Sequence, residues 1–190
     1  MNEENTEIIT NYIAQVADTL NKLPVDKITR VVEVLAEARD RGNRVYIFGN
    51  GGSAATASHF ACDLDKGAIC KSKPRFKAFA LTDNVPLLSA WANDTGYSNI
   101  FAEQLENFIE HGDVAIAISG SGNSPNVLNG VKAAKTKRAT TIGFIGFNGG
   151  KLKGLVDIAL VISNNKMEQV EDIHILLGHV ITTCLRKDGG

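Results

Sequence analysis

The sequence predicts an α/β protein: a doubly wound, five-stranded parallel sheet flanked by helices, with an N-terminal helical extension. Three observations carry this. Five short runs, RVYIFG (44–49), FKAFAL (76–81), DVAIAIS (113–119), TTIGFIG (140–146) and DIALVIS (157–163), are rich in β-branched and aromatic residues and nearly continuous in apolar side chains. Such runs fit strands covered on both faces. The intervals between them hold glycine turns and helical stretches long enough for crossover connections.

In chain order, residues 5–22 place Ile8, Ile9, Tyr12, Ile13, Val16 and Leu20 on one broad face, the spacing of an amphipathic helix. Pro24 breaks the chain, and Asp26 is positioned to cap a second helix running to about Arg41, with Ile28, Val31, Val32, Val34 and Leu35 recurring along it. Gly42 and Asn43 end that helix. The strand runs then follow, and a last helix, about 166–187, carries MEQVEDIHILLGHVITTCLRK before an Asp-Gly-Gly tail. One domain over 1–190 is expected, made of N-terminal helices (1–42), an α/β core (43–165) and a C-terminal helix (166–190).

Composition excludes several classes. The 190 residues carry a formal net charge of -1, so no field draws in nucleic acid or an anionic membrane. The acidic N-terminus has no signal-peptide pattern, and no window approaches a membrane span. Three cysteines, Cys62, Cys70 and Cys184, contain no CxxC pair and fit a reducing cytoplasm better than a disulfide framework. Cys62 and Cys184 read as small core residues, and Cys70 as a loop thiol.

Two loops concentrate the chemistry. GNGGS (49–53) follows the first strand directly, and SGSGNS (119–124) follows the third; each feeds a helix. Bare glycine amides and serines at the positive end of a helix bind phosphate without needing lysine. Neither loop has GxGxxG or Walker spacing, which points to a sugar phosphate rather than a nucleotide. Taken alone, either run also fits a tight turn.

The strand, SGSGNS and helix unit resembles the phosphosugar-binding loop of the sugar isomerase (SIS) domain family, whose sheet is flavodoxin-like. GNGGSxxxxxHF, the Ala92-Asn93-Asp94 segment and the C-terminal IHxxxxH together resemble its phosphoheptose isomerase branch, over almost the whole chain. The resemblance implies an aldose-ketose isomerase converting sedoheptulose 7-phosphate to D-glycero-D-manno-heptose 7-phosphate through an enediol. It implies a phosphate held by Ser119, Gly120, Ser121 and Ser124. A sugar chain would be held by Asn50, Gly51, Gly52, Ser53, Asn93 and Asp94, with Asp63 and Glu171 in contact with substrate. Asp63 and His179 would be catalytic, and a cytoplasmic homotetramer is implied.

His59 matches a metal-ligand position of that family. His59 and Asp63, four residues apart, share a helix face; with Glu171 and His179 they make a candidate set of two imidazoles and two carboxylates that suits zinc. Two positions depart from the family pattern. Asp63 stands where it has glutamate, and Glu171 where it has glutamine; the shorter acid is expected to fall about 1.5 Å back from the reacting carbons.

Single residues have other readings. His59 also fits a packed core histidine, Asp63 with Asp65 and Lys66 a solvated helix end, and Glu171 with Asp172 an acidic first turn. His174 reads as packing or a subunit contact, and His111 as a loop residue. The resemblance also covers non-catalytic SIS regulators that associate with the replication initiator DnaA, and isomerases of other sugar phosphates. The amidotransferase-linked form is disfavoured by the lack of an N-terminal nucleophilic cysteine and of a second isomerase repeat.

Overall fold

A computed structural model describes residues 3–187, and all five expected runs form strands in it; the Asp-Gly-Gly tail, 188–190, lies outside the described residues. The chain opens with helices α1 (Glu3–Leu20) and α2 (Val25–Arg41), then strand β1 (Val45–Gly49) and helix α3 (Gly52–Cys62), which continues into a π turn, Asp63–Gly67. Strand β2 (Ala78–Ala80), helix α4 (Val85–Asp94), a 3-10 turn (Tyr97–Asn99) and helix α5 (Ala102–Phe108) follow. Strand β3 (Val114–Ser119), helix α6 (Pro125–Thr136), strands β4 (Thr140–Ile145) and β5 (Ile158–Val161), and helix α7 (Met167–Lys187) complete the chain.

The strand order is β2-β1-β3-β4-β5 and every pairing is parallel. The order reverses between β1 and β3, so the crossovers leave on opposite faces there and open a crevice at the carboxyl ends of those two strands. Gly49 pairs with Ile118, and the loops that follow β1 and β3 therefore emerge side by side. One apolar layer joins Val31 and Leu35 of α2, Phe60 of α3, and Ile173, Leu177 and Ile181 of α7 to the sheet. The other packs Phe101 and Leu105 with Val127 and Val131 of α6.

Three local expectations change. The FKAFAL run keeps only three residues in the sheet, because β2 is an edge strand that pairs with β1 alone. Asp26 does not cap α2: the cap position is Pro24, and no side chain bonds the first-turn amides there. Cys62 and Cys184 are exposed rather than core, since each faces outward from its helix. The apolar face of α1 is uncovered: Ile8, Ile9 and Ile13 remain 59%, 59% and 63% exposed. Polar bonds attach α1 to the rest of the chain. Tyr12 Oη donates to Asp172 at 2.5 Å and Gln169 Nε2 to Gln15 Oε1 at 3.0 Å. The Asp172 carboxylate pushes the Tyr12 phenol up to about 12.

His174 is fully buried against the Phe144 ring, so it is a packing residue; neither ring nitrogen has an aligned hydrogen-bond partner. Burial lowers its pKa from 6.5 to about 4, opposed only in part by the nearby Ile145 carbonyl. A histidine depressed in this way stabilises the fold fully above its unfolded pKa, and that contribution is lost as pH falls from 6.5 toward 4. The loss is of order 3 kcal/mol at 1.36 kcal/mol per pH unit. Calorimetric melting from pH 7 to 4 is expected to show a steeper decline for the unmodified chain than for His174→Leu, whose apolar side chain has no proton to gain.

Candidate functional site

The site is built where the crevice meets the N-termini of α3 and α6. Asn50, Gly51, Gly52 and Ser53 from the first loop face Ser119, Gly120, Ser121 and Ser124 from the second, with Met167 and Glu171 of α7 closing the side; the pocket holds about 240 Å³. Of the residues expected to hold substrate, Asn93 and Asp94 do not line it. They sit exposed at the end of α4, with Asn93 Nδ2 donating to Asp94 Oδ1 at 2.8 Å.

The second loop has the shape that an anion cradle needs. Ser119 Oγ accepts from the Gly122 amide at 3.1 Å, and Ser121 Oγ from the Asn123 amide at 3.2 Å. Each hydroxyl accepts from its own loop and keeps its proton to donate outward. Ser124, at the cap position of α6, makes no capping bond of its own, so its hydroxyl is not committed to the helix. Gly122 adopts φ 64°, which a side chain rarely does, and its carbonyl accepts from the Leu152 amide at 2.9 Å. The loop after β4 thus braces the cradle from behind, a support that only its FNGG glycines signal in the sequence.

About two helical turns along α3 lies the second part of the site. Helices α3 and α7 run side by side in the same direction: Gly52 abuts Glu171, and Phe60 abuts Gly178. His59 and His179 consequently meet, Nε2 to Nε2 at 2.9 Å. Asp63 Oδ2 lies 3.5 Å from His59 Nε2 and 3.6 Å from His179 Nε2. That oxygen is buried and has no hydrogen-bond partner of its own, although the side chains of the trio are 54%, 23% and 55% exposed for His59, Asp63 and His179. His59 is therefore not a packed core histidine, and Asp63 opens a π turn rather than a plain solvated helix end.

Glu171 does not join this group. It lies eight residues before His179 on α7, about 12 Å at 1.5 Å per residue, and its carboxylate packs on Gly52 in the loop pocket. His59, Asp63 and His179 each offer one ligand atom within 4.8 Å of the others. Two imidazoles, one carboxylate and an open side match the ligand count of a catalytic zinc site, and the orphaned Asp63 oxygen facing both rings is the feature such an ion would satisfy.

Two residues that hold Asn50 of the first loop, Asn126 and Tyr97, have no separate signal in the sequence: Asn126 follows a proline at a helix start and Tyr97 follows a turn. Asn126 bonds Asn50 reciprocally, and Tyr97 reaches the same Asn50 from the 3-10 turn.

Comparison with known proteins agrees with this arrangement. The family model for the SIS domain matches residues 10–146. The chain belongs to the SIS domain family. Among curated relatives of this SIS protein, the phosphoheptose isomerase of Aquifex aeolicus is 39% identical over 184 residues, covering 97% of this chain and 96% of the relative. The probable phosphoheptose isomerase of Thermoplasma acidophilum is 38% identical over 92% of this chain and 95% of its own. The solved phosphoheptose isomerase of Neisseria gonorrhoeae superposes with a TM-score of 0.89 at 29% identity, over 96% of this chain and 98% of that one. The doubly wound parallel sheet of this SIS domain is thus the architecture of that enzyme group.

Proposed function

We infer that this SIS domain is a phosphoheptose isomerase, interconverting sedoheptulose 7-phosphate and D-glycero-D-manno-heptose 7-phosphate. The observation that carries the reading is the pairing of an anion cradle with a carboxylate-imidazole group at a substrate's length. Seven residues separate Gly52 from His59 along α3, about 10 Å at 1.5 Å per residue, and an extended seven-carbon chain with a terminal phosphate covers a comparable span. The relatives named above support the enzyme over the non-catalytic regulator, and Asp63 retains an acid at the position that would carry the chemistry.

The reaction moves a proton between adjacent carbons, so it needs a base that reaches both and groups that stabilise the enediol oxygens. Ser119, Ser121 and Ser124 with the loop amides hold the phosphate and so set the distance to the reacting end. Asp63 takes the proton from C1 of the ketose and returns it to C2, giving the aldose. His179 and His59, sharing one proton between their facing nitrogens, are placed to donate and recover a proton at the substrate oxygens. Glu171 contacts the sugar chain at the first loop. Zinc or another divalent ion held by His59, Asp63 and His179 would take the place of that shared proton and supply a Lewis acid for those oxygens instead.

A homo-oligomer, with a tetramer as the proposed state, is supported by two surfaces: the uncovered Ile8, Ile9 and Ile13 face, and the half-open flank of the His59–Asp63–His179 group. A charged sugar phosphate, three free thiols and the lack of any helix among the described residues long and apolar enough to cross a membrane suit the proposed cytoplasmic location.

Incubation with sedoheptulose 7-phosphate in deuterium oxide, followed by NMR, is expected to show deuterium at C2 of the aldose product. Light scattering of the same sample is expected to give a multiple of 20.4 kDa. No exchange, with or without added zinc, would overturn the reading.

A further inference from the structure

Asn50 is a polar side chain of the first loop that lines the pocket, and its hydrogen-bonding capacity is almost wholly committed before any ligand arrives. The commitment starts at the backbone. The Val127 amide, in the first turn of α6, can only donate, and it donates to Asn126 Oδ1 at 2.9 Å. That contact sets the orientation of the buried Asn126 carboxamide. Its Nδ2 then donates to Asn50 Oδ1 at 2.8 Å, while Asn50 Nδ2 donates back to Asn126 Oδ1 at 2.9 Å. Tyr97 Oη lies 3.0 Å from the same Asn50 Oδ1 and must donate to it. Asn50 Oδ1 thus accepts twice, and one Nδ2 proton is the hydrogen-bonding capacity that Asn50 has left.

Tyr97 belongs to a segment fastened independently. Asn129 Nδ2, from α6, donates to the Ser98 carbonyl at 3.1 Å and to Asn99 Oδ1 at 3.3 Å. Gly96, with φ 89°, makes the bend that lets the phenol cross to the loop. The ring itself is 57% exposed, so it reaches Asn50 over the surface as a strap rather than as a core group.

We propose that Asn126 and Tyr97 are positioning residues for substrate: together they clamp the first glycine loop to the start of α6, and they fix Asn50 as a donor that selects an oxygen acceptor on the sugar chain. The proposal rests on the sugar-phosphate reading of the pocket. It separates two tasks within it. The serine loop holds phosphate and needs neither residue, while the first loop holds the sugar and needs both.

Calorimetric binding of sedoheptulose 7-phosphate and of inorganic phosphate, to the unmodified chain, Tyr97→Phe and Asn126→Asp, tests this without requiring turnover. Tyr97→Phe deletes one hydrogen bond and is expected to weaken the sugar phosphate by about five- to tenfold. Its inorganic phosphate affinity should stay within twofold and its melting temperature within about 4 °C. Asn126→Asp replaces the donor to Asn50 Oδ1 by an oxygen and is expected to weaken the sugar phosphate further. Should Asn126→Asp fail to fold, Tyr97→Phe decides alone. Equal sugar-phosphate affinity in Tyr97→Phe, a matching fall in phosphate affinity, or no sugar-phosphate binding by the unmodified chain would overturn the proposal. Loss of turnover in the unmodified chain with the affinity pattern intact would instead overturn the isomerase reading alone.

Discussion

Asp63→Asn is expected to lower the isomerisation rate by about 10²–10⁴-fold, the usual contribution of a positioned general base. The substitution keeps the shape of the side chain and removes its basicity. The stability of the fold should change little, because Asp63 Oδ2 makes no hydrogen bond and its two imidazole neighbours, at 3.5 and 3.6 Å, are half exposed. Deuterium incorporation at C2 measures the effect, and a rate within tenfold of the unmodified chain would move the base to another group, His179 first.

The structure also alters what the shorter acid means. Sequence comparison suggests a carboxylate drawn back by one methylene, yet Oδ2 already stands 3.5 and 3.6 Å from the two imidazole nitrogens. Asp63→Glu would push an oxygen about 1.5 Å further, into rings that face each other at 2.9 Å. It is therefore not expected to raise the rate, although the resemblance to the family implies a glutamate at this position.

Gly122→Ala carries the second large effect, on stability and phosphate binding together. A Cβ there would lie 2.3 Å from the Gly149 carbonyl oxygen, 2.8 Å from its carbon and 2.9 Å from Ile145 Cγ2. The φ of 64° costs an L-residue a further 1–2 kcal/mol, as an order of magnitude. The obstructing atoms are backbone, and the Leu152–Gly122 bond holds that backbone in place, so the cradle itself must open. A loss of about 3 kcal/mol or more and a melting temperature lower by roughly 6–12 °C are expected. Phosphate affinity measured by calorimetry should fall with them. Gly52→Ala is the matched control. The three atoms nearest its Cβ would all belong to the Glu171 carboxylate, the closest at 2.5 Å, and the far end of a flexible side chain can swing away. That variant is expected to melt near the unmodified chain and to keep its affinity for inorganic phosphate; retained stability and phosphate affinity in Gly122→Ala would refute the rigid-cradle account.

Legibility followed the range of the interactions. The two glycine-serine loops could be read because each follows directly on its strand, and the pairing of His59 with Asp63 because four residues make one helical turn. The failures have the opposite character. Cys62 and Cys184 were misplaced because a small apolar residue on an amphipathic helix does not reveal which way it points. Chemistry alone groups Glu171 with the imidazoles, whereas its height on α7, set by the register of that helix against α3, puts it beside Gly52 instead.

The amino-acid sequence by itself determined the α/β class, the positions of the strands and helices, the place of both glycine-serine loops between a strand and a helix N-terminus, and the His59–Asp63 face. Those depend on side-chain alternation, helical periodicity and turn chemistry, all confined to neighbours in the chain. Tertiary structure alone decided the β2-β1-β3-β4-β5 order that brings the two loops together, the parallel packing of α3 and α7 that joins His179 to His59, and the Val127–Asn126–Asn50–Tyr97 chain. Each of these joins residues distant in sequence, and only the packing of separate elements sets their separation.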